Sequence, residues 1–440
     1  MKRRPVTRPV ITAMAATAVS AGLLAGCSPG APTPTETTSP VSTPSSTAPS
    51  GEVRVLAVEG PETDALATEA ATFTQSSGIT VKVDKVARDV WGQRKVAELA
   101  QDAGTYDVVF LGGGDDAVWM LRHAHAKDLT GYLGSEVVND VVNHELFTTD
   151  SGALLGAPQY YNFPVTYYRA DLFGDPDEQS AFKEKYGRDL APPTTFDELV
   201  DLATFFNRPD EGLYGTCLGG VDWSVFLDNT YFTYGQDSNY GDLATGELTL
   251  NTPEQVKSLE YIKQLTALSA PGWESLSFFD CDNQMQAGSI AIYQNWLYAW
   301  RTLGEQMGDK LGMAPPAGVK THLGAMLATI PEKAPNPDAA GAFIAWMLSD
   351  DFQLAQARQT GNLPVLQSQQ GSPAFAEALP ELEMLKSVAG RLTYLHTTWS
   401  GELGSGVSEA IAKVNSGELT AQDAAAWLQN EKFAGRKAIE

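Results

Sequence analysis

From Val53 onward, apolar positions follow two alternating rhythms. Val53-Arg54-Val55-Leu56-Ala57-Val58 is a compact apolar run of strand length, and residues 64–75 space their apolar side chains as a helix does. Ile79-Thr80-Val81-Lys82-Val83-Asp84 alternates with period two. Residues 90–100 return to the helical period, and Tyr106-Asp107-Val108-Val109-Phe110-Leu111 is again an apolar strand. Strands that alternate with helices of ten or more residues predict βαβ units and a largely parallel sheet. Further along, 155–168 reads as extended and Pro193-Thr194-Thr195 announces a helix over 196–206. A strand is expected at 213–218, a helix at 253–269 and a buried strand at 289–293. Helices follow at 337–349, 351–359 and 423–432. There is no internal repeat, so the pattern predicts an α/β protein in more than one lobe.

The first 52 residues do not belong to that pattern. Lys2, Arg3, Arg4 and Arg8 precede a short, weakly apolar run that ends in Leu23-Leu24-Ala25-Gly26-Cys27. A basic patch, a short apolar core and small residues before a cut site predict a secretory signal over 1–26, too short to span a bilayer. Its end resembles the lipobox of bacterial lipoproteins, which implies acylation of Cys27. Residues 27–52 are mostly Ser, Thr, Pro, Ala and Gly. They cannot bury enough apolar surface to offset the entropy of ordering, and read as a tether. The expected location is the outer face of the cytoplasmic membrane, held by lipid. No later stretch approaches the ~18 consecutive apolar residues of a membrane helix.

Charge removes whole classes of partner. Among 440 residues, 54 are acidic and 30 basic, a formal net charge of −24. Nucleic acid recognition needs a basic footprint, and none is present. Catalytic signatures are also missing. The Gly-x-Ser-x-Gly pattern occurs only at Gly26–Gly30, inside the processing site, and there is neither a Gly-Lys-Ser/Thr loop nor a His-Glu-x-x-His. His123 and His125, two apart, do not share a helix face, so no metal is expected. Gly112-Gly113-Gly114 after a strand reads as a turn that lets backbone approach a ligand closely. Asp115 and Asp116 suit a helix N-cap, with one oxygen free for ligand. Cys217 and Cys281 are an even pair in an exported chain, compatible with a disulfide or with two buried thiols.

Aromatics stand out. The chain holds 9 Trp, 15 Tyr and 17 Phe, and several sit beside amides or carboxylates: Gln159-Tyr160-Tyr161-Asn162, Asp222-Trp223, Asn295-Trp296-Leu297-Tyr298 and His396-Thr397-Thr398-Trp399. A sugar has an apolar C–H face and a polar rim, and an aromatic plate next to an amide matches both. A tethered glycosidase drawing two of Glu59, Asp115, Asp116, Asp222 and Glu402 is the competing reading, and a purely structural adhesin a third.

The order of segments resembles the carbohydrate-binding family of extracellular solute-binding proteins that serve bacterial ABC importers, the family of maltose-binding protein. Phe73 with Gly78-Ile79-Thr80-Val81 is similar to its "F-x-x-x-x-G-I-x-V", and Lys127-Asp128-Leu129-Thr130 to its "x-D-L-T". Tyr106-Asp107-Val108-Val109 resembles the strand before its first ligand loop. Gly156-Ala157-Pro158 with Tyr167-Tyr168-Arg169-Ala170-Asp171-Leu172-Phe173 resembles its hinge segment. Pro192-Pro193-Thr194-Thr195-Phe196-Asp197-Glu198-Leu199 resembles "P-P-x-T-W-D-E-L", and Gln286-Ala287-Gly288-Ser289-Ile290-Ala291-Ile292 "x-x-G-x-x-A-M". The resemblance implies a two-lobed fold of the Venus-flytrap kind, with 53–159 and 326–363 in one lobe and 163–322 and 367–440 in the other. Three crossings would fall near 159–162, 323–326 and 363–366. It implies a monomer that takes a neutral carbohydrate or polyol in its cleft and delivers it to a membrane permease, without cofactor or catalysis. It places ligand contacts at Glu59, Gly113, Asp115, Asp116, Asn162, Asp222, Trp223, Asn295, Trp296 and Trp399.

Overall fold

A computed structural model describes residues 51–440 except 101–103 and 124, and the side chains there except those of Asp89 and Asp222. The signal, Cys27 and nearly all of the tether lie outside the described residues.

Two separate sheets organise the chain. The first holds β1 (Glu52–Val58), β2 (Thr80–Val86), β3 (Val108–Gly112), β4 (Ala157–Pro158) and, from far along the chain, a strand at Met326–Thr329. β1 lies parallel to both β2 and β3, because helices Pro61–Ser77 and Arg88–Leu99 carry the chain back across the sheet each time. The Met326–Thr329 strand enters antiparallel between β3 and β4. The second sheet is antiparallel throughout. There β5 (Pro164–Arg169) is central, flanked by β6 (Ile292–Trp296) and β7 (Leu311–Ala314). A two-residue pairing joins β8 (Thr321–His322) to Leu392–Thr393; the Met326–Thr329 strand is β9 and Leu392–Thr393 is β10.

Local chemistry explains where helices begin. Helix Pro61–Ser77 starts with Pro at its first position, where the missing N–H costs nothing, and ends at Gly78 with φ 73°, whose N–H closes onto Thr74 O. Helix Phe196–Phe206 opens on a reciprocal cap: Thr195 Oγ1 accepts the Glu198 N–H while Glu198 Oε2 accepts that of Thr195, both at 3.2 Å. Its apolar stripe, Phe196, Leu199, Leu202, Ala203 and Phe206, is buried in the core of the second lobe. A larger core runs through the first sheet and on across the junction, from Val53 and Val109 to Tyr161, Tyr167 and Tyr293. Each such side chain contributes about 1.5–3 kcal/mol when fully buried.

Several expected elements take another form. Residues 213–218 make no strand. Tyr214 bridges Ile290, and the Gly215 N–H goes to Leu268 O at a helix end, so the ladder is never continued. Gly215 presses on helix Phe196–Phe206 so closely that a Cβ would lie 2.0 Å from Ala203 O. The buried strand shifts from 289–293 to Ile292–Trp296. The last helix divides into Ala421–Trp427 and a wide turn over Leu428–Lys432. Asp222 and Trp223 do not follow a strand in a loop; they open helix Asp222–Gly235. Residues 367–389, expected with the second lobe, bond to Asp140, Asn143 and Leu348 and return to the second lobe's strands only at β10.

Three segments connect the two sheets and lie side by side. Tyr161 and Leu363 exchange both backbone hydrogen bonds, at 3.0 and 3.1 Å, and the Gly324 N–H donates to Asn162 O at 2.7 Å. Gly324 is required there, because a Cβ would sit 2.3 Å from the Trp296 ring. Gly112-Gly113-Gly114 serves the same junction rather than a ligand: the Gly113 N–H donates to Ala325 O, and a Cβ on Gly114 would meet Leu323 O and His322 Nε2 at 2.2 Å.

Cys217 and Cys281 form a disulfide across 64 residues of sequence. Closing a loop of that length restricts the unfolded chain, so Cys217→Ala with Cys281→Ala should lower the unfolding free energy by about 2–4 kcal/mol. Urea denaturation of the ligand-free protein measures it, and an unchanged midpoint would assign the disulfide no role in stability.

Candidate functional site

The strand β1 ends at Val58, and the Glu59 N–H still pairs with Val86 O at 2.9 Å before the chain turns into helix Pro61–Ser77. That turn forms one wall of a cavity of about 330 Å³ beside two of the connecting segments, at Tyr160 and Asn162 and at Gly324 to Met326. Glu59, Glu62 and Arg88 line it from the first lobe. Trp223, Phe278, Phe279, Trp296 and Tyr298 line it from the second, and Tyr160, Asn162 and Gly324 come from the junction itself. Charge and acceptors therefore face a wall of rings. Trp223 meets Phe278 edge-on at 4.8 Å, and the Arg88 guanidinium stands 5.8 Å over the Trp223 ring from across the cleft.

Buried carboxyls set the electrostatics. Burial raises Glu62 above the ordinary carboxylate range, opposed by a hydrogen bond from Asn362 and by the charge of Arg88. Asp282 is raised by burial too. It accepts Tyr293 Oη at 2.6 Å, Asn295 Nδ2 at 2.7 Å and Tyr298 Oη at 2.7 Å, which holds Tyr298 at the cavity wall. Asp228 accepts the Gly219 N–H at 3.0 Å, and burial pushes it up to about 8. Burial lowers His322, so it is neutral at pH 7; its Nδ1 lies 2.9 Å from Thr230 Oγ1.

Among the expected contacts, the structure brings together Glu59, Asn162, Trp223 and Trp296. The others have different work. Asn295 lies behind the wall, giving its amide to Phe278 O and Asp282 while its Oδ1 accepts the Trp296 N–H. Asp116 is not a free carboxylate: it takes the Gly112 N–H at 2.7 Å and is ion-paired with buried Lys95. Asp115 Oδ1 lies 3.6 Å from His322 Nε2, at the junction. The Asp222 side chain lies outside the described residues. Trp399 and Glu402 line a separate groove. There Trp399 Nε1 donates to Lys437 O at 2.8 Å, its ring carries the Arg436 guanidinium at 3.9 Å, and Arg436 in turn pairs with Glu402. No group of three or more metal-ligating side chains occurs among the described residues, and no helix there is long and apolar enough to cross a membrane.

Glu62, Arg88, Phe278 and Phe279 are cavity residues that the sequence patterns did not single out. Glu62 had a signal, since Gly60-Pro61-Glu62 directly follows a strand and so opens a helix at a sheet's carboxyl edge. Tyr160 and Tyr298 belong to aromatic groups already noted.

A half-open cavity at the junction of two lobes, with rings on one side and acceptors on the other, is the arrangement of a solute-binding protein. The chain belongs to the bacterial extracellular solute-binding protein family, whose model matches residues 58–354. It is similar to a mannitol-binding protein of Pseudomonas aeruginosa, 25% identical over 335 residues, covering 70% of this chain and 73% of that protein. Its fold matches an ABC transporter solute-binding protein from Agrobacterium radiobacter in complex with ribitol, with TM-score 0.72, 22% identity, and coverage of 87% and 98% of the two chains. It also matches a maltose-bound protein of T. maritima, with TM-score 0.72, 20% identity, and coverage of 87% and 99%.

Two outcomes follow from these placements. Trp399→Ala should leave ligand affinity within about twofold while lowering the melting temperature, because the ring braces Arg436 and Phe433 rather than the cavity; a tenfold loss in calorimetry would put it back in the site. At Asp228 the folded protein keeps a proton that the unfolded chain releases near pH 4. The stability this gives is full below pH 4 and is lost as pH rises toward 8. Asp228→Asn should therefore gain stability relative to wild type between pH 5 and 8.5, read from urea midpoints, and a constant difference across that range would contradict the assignment.

Proposed function

We propose that this protein captures a neutral polyol or monosaccharide-sized carbohydrate between its lobes and delivers it to an ABC permease. The observation that carries the reading is the composition of the cavity. Trp223, Phe278, Trp296 and Tyr298 offer flat apolar faces, and opposite them Glu59, Glu62 and Asn162 offer acceptors for hydroxyl groups. At about 330 Å³ the cavity is at the small end of ligand sites, which favours one sugar unit over a long oligosaccharide. The P. aeruginosa relative's mannitol and the A. radiobacter neighbour's ribitol support this class. Residues 53–159, 326–363 and 367–389 form one lobe in this reading, and 163–322 with 390–440 the other. Cys27 carries the lipid that holds the protein, a monomer, at the outer face of the membrane, close to its permease.

Binding without turnover fits the carboxylates. Asp116 is spent on Lys95 and Glu402 on Arg436, away from the cavity. Glu59 and Glu62 share one wall, rather than flanking a bond from two sides as glycoside cleavage requires.

A thermal-shift screen of ribitol, D-mannitol, D-sorbitol, common monosaccharides and maltose tests the reading. A ligand at 100 times its Kd adds about 2.7 kcal/mol to stability, a shift of several degrees at most. Trp223→Ala, at a ring 37% exposed, should weaken the best ligand by more than tenfold and leave the ligand-free melting temperature within about two degrees. A protein that responds to peptides or polyamines but to no sugar or polyol would refute the proposal.

A further inference from the structure

Glu62 is where the cavity and the hinge meet. It stands in the first turn of helix Pro61–Ser77, at the cavity wall, and is 9% exposed. Its Oε1 accepts Asn362 Nδ2 at 3.0 Å and Asn162 Nδ2 at 3.4 Å. These asparagines lie on two of the three connecting segments, and the Asn162 carbonyl takes the Gly324 N–H from the third. One carboxylate is thus bonded to two crossings directly and to the last through one backbone link. Helix Pro61–Ser77 is held to the same place from behind, since Gln159 Nε2 donates to Glu62 O at 3.0 Å.

The cluster is incomplete as it stands. Asn162 Oδ1 and Asn362 Oδ1 are both buried without a hydrogen-bond partner. Turning either amide over would set its oxygen against the Glu62 carboxylate, so neither can relieve itself by rotation. Asn162 is 7% exposed and lines the cavity; Asn362, 1% exposed, is not part of the wall. A buried acceptor that a ligand hydroxyl satisfies on binding adds affinity, and a hydrogen bond made in only one hinge state biases that state.

We propose, resting on the polyol reading above, that Glu62 and Asn162 receive two neighbouring hydroxyls of the ligand, and that Asn362 is a positioning residue that ties this reception to the hinge, so that filling the cavity and closing the lobes are one event. The carboxylate form is needed, because only it accepts from the two amides and the ligand together. Arg88 from helix Arg88–Leu99, Asp64 on its own helix, Tyr160 from the first crossing and Tyr298 from the second lobe interact with it electrostatically, and Glu59 shares its wall. Affinity should fall as pH drops through the raised Glu62 value.

The test uses the full chain with ribitol and D-mannitol as probes, calorimetry between pH 4.5 and 8, and small-angle scattering with and without probe. Wild type should bind one of them, lose at least fivefold in affinity toward pH 4.5, and compact on binding. Glu62→Gln should bind at least thirtyfold more weakly at pH 7.5 with a flat pH profile. Asn362→Ala should bind about tenfold more weakly and move the midpoint of the pH profile upward, because its amide holds the carboxyl down. A flat wild-type profile, Glu62→Gln binding within threefold of wild type, or Asn362→Ala weakened with an unmoved midpoint would each overturn the coupling while leaving the polyol reading intact. Should Glu62→Gln fail to fold, the wild-type and Asn362→Ala profiles still decide. A wild type that binds neither probe nor anything in the sugar screen would overturn both.

Discussion

The structure depends on a narrow bundle of three chain segments, held by the Tyr161–Leu363 exchange and the Gly324–Asn162 bond. The two sheets, the first mixed and the second antiparallel throughout, share no ladder. They are joined instead where the chain is extended and its backbone groups can pair across. Close approach demands residues without side chains: Gly324 passes under Trp296, and Gly114 packs on His322 and Leu323. The cavity is the space left beside that bundle, so every wall of it is fixed by reference to the hinge.

In this strongly acidic chain several carboxyls are buried at a cost, Glu62 at the cavity and Asp228 and Asp282 outside its lining. Glu62, Asp228 and Asp282 are all raised by burial, and each is answered differently: Glu62 by hinge amides and Arg88, Asp228 by one backbone N–H, Asp282 by two tyrosine hydroxyls and an amide. Asp282 neighbours Cys281, whose disulfide ties helix Phe278–Gln286 to the segment before helix Asp222–Gly235. The same two helices carry Phe278, Phe279 and Trp223. The aromatic wall is therefore braced covalently and by hydrogen bonds, while the opposite wall belongs to the first lobe. A hinged receptor needs that division, since closure can favour the bound state only if each half keeps its shape.

Helix Phe196–Phe206 and the strands Val53–Val58, Thr80–Asp84 and Val108–Leu111 were legible because periodicity and capping are local: a Thr-x-x-Glu box and an apolar run each state their own conformation. Glu59, Asn162, Trp223 and Trp296, expected through the resemblance, lie at the cavity, whereas 367–389, expected in the second lobe, bond to the first. What stayed hidden depended on distant partners. Residues 213–218 have a strand's composition, yet their hydrogen bonds go to Ser289 and Leu268, more than fifty residues away, and no ladder forms. Asp116 looks like a free carboxylate until Lys95 is folded onto it. Trp399 sits in a stretch as suited to a sugar as any other, and the structure places it in a second groove, against Arg436 and bonded to Lys437 O.

By itself, then, the amino-acid order determined the α/β alternation, the acidic surface, the placement of ring-and-amide groups and the kind of protein they build, because each is a property of composition or of neighbours within a few turns. The tertiary structure decided which of those groups face a ligand. Glu62 shows why: its meaning comes from Asn162 and Asn362, 100 and 300 positions away, and a contact at that separation exists only once both lobes have folded around the hinge.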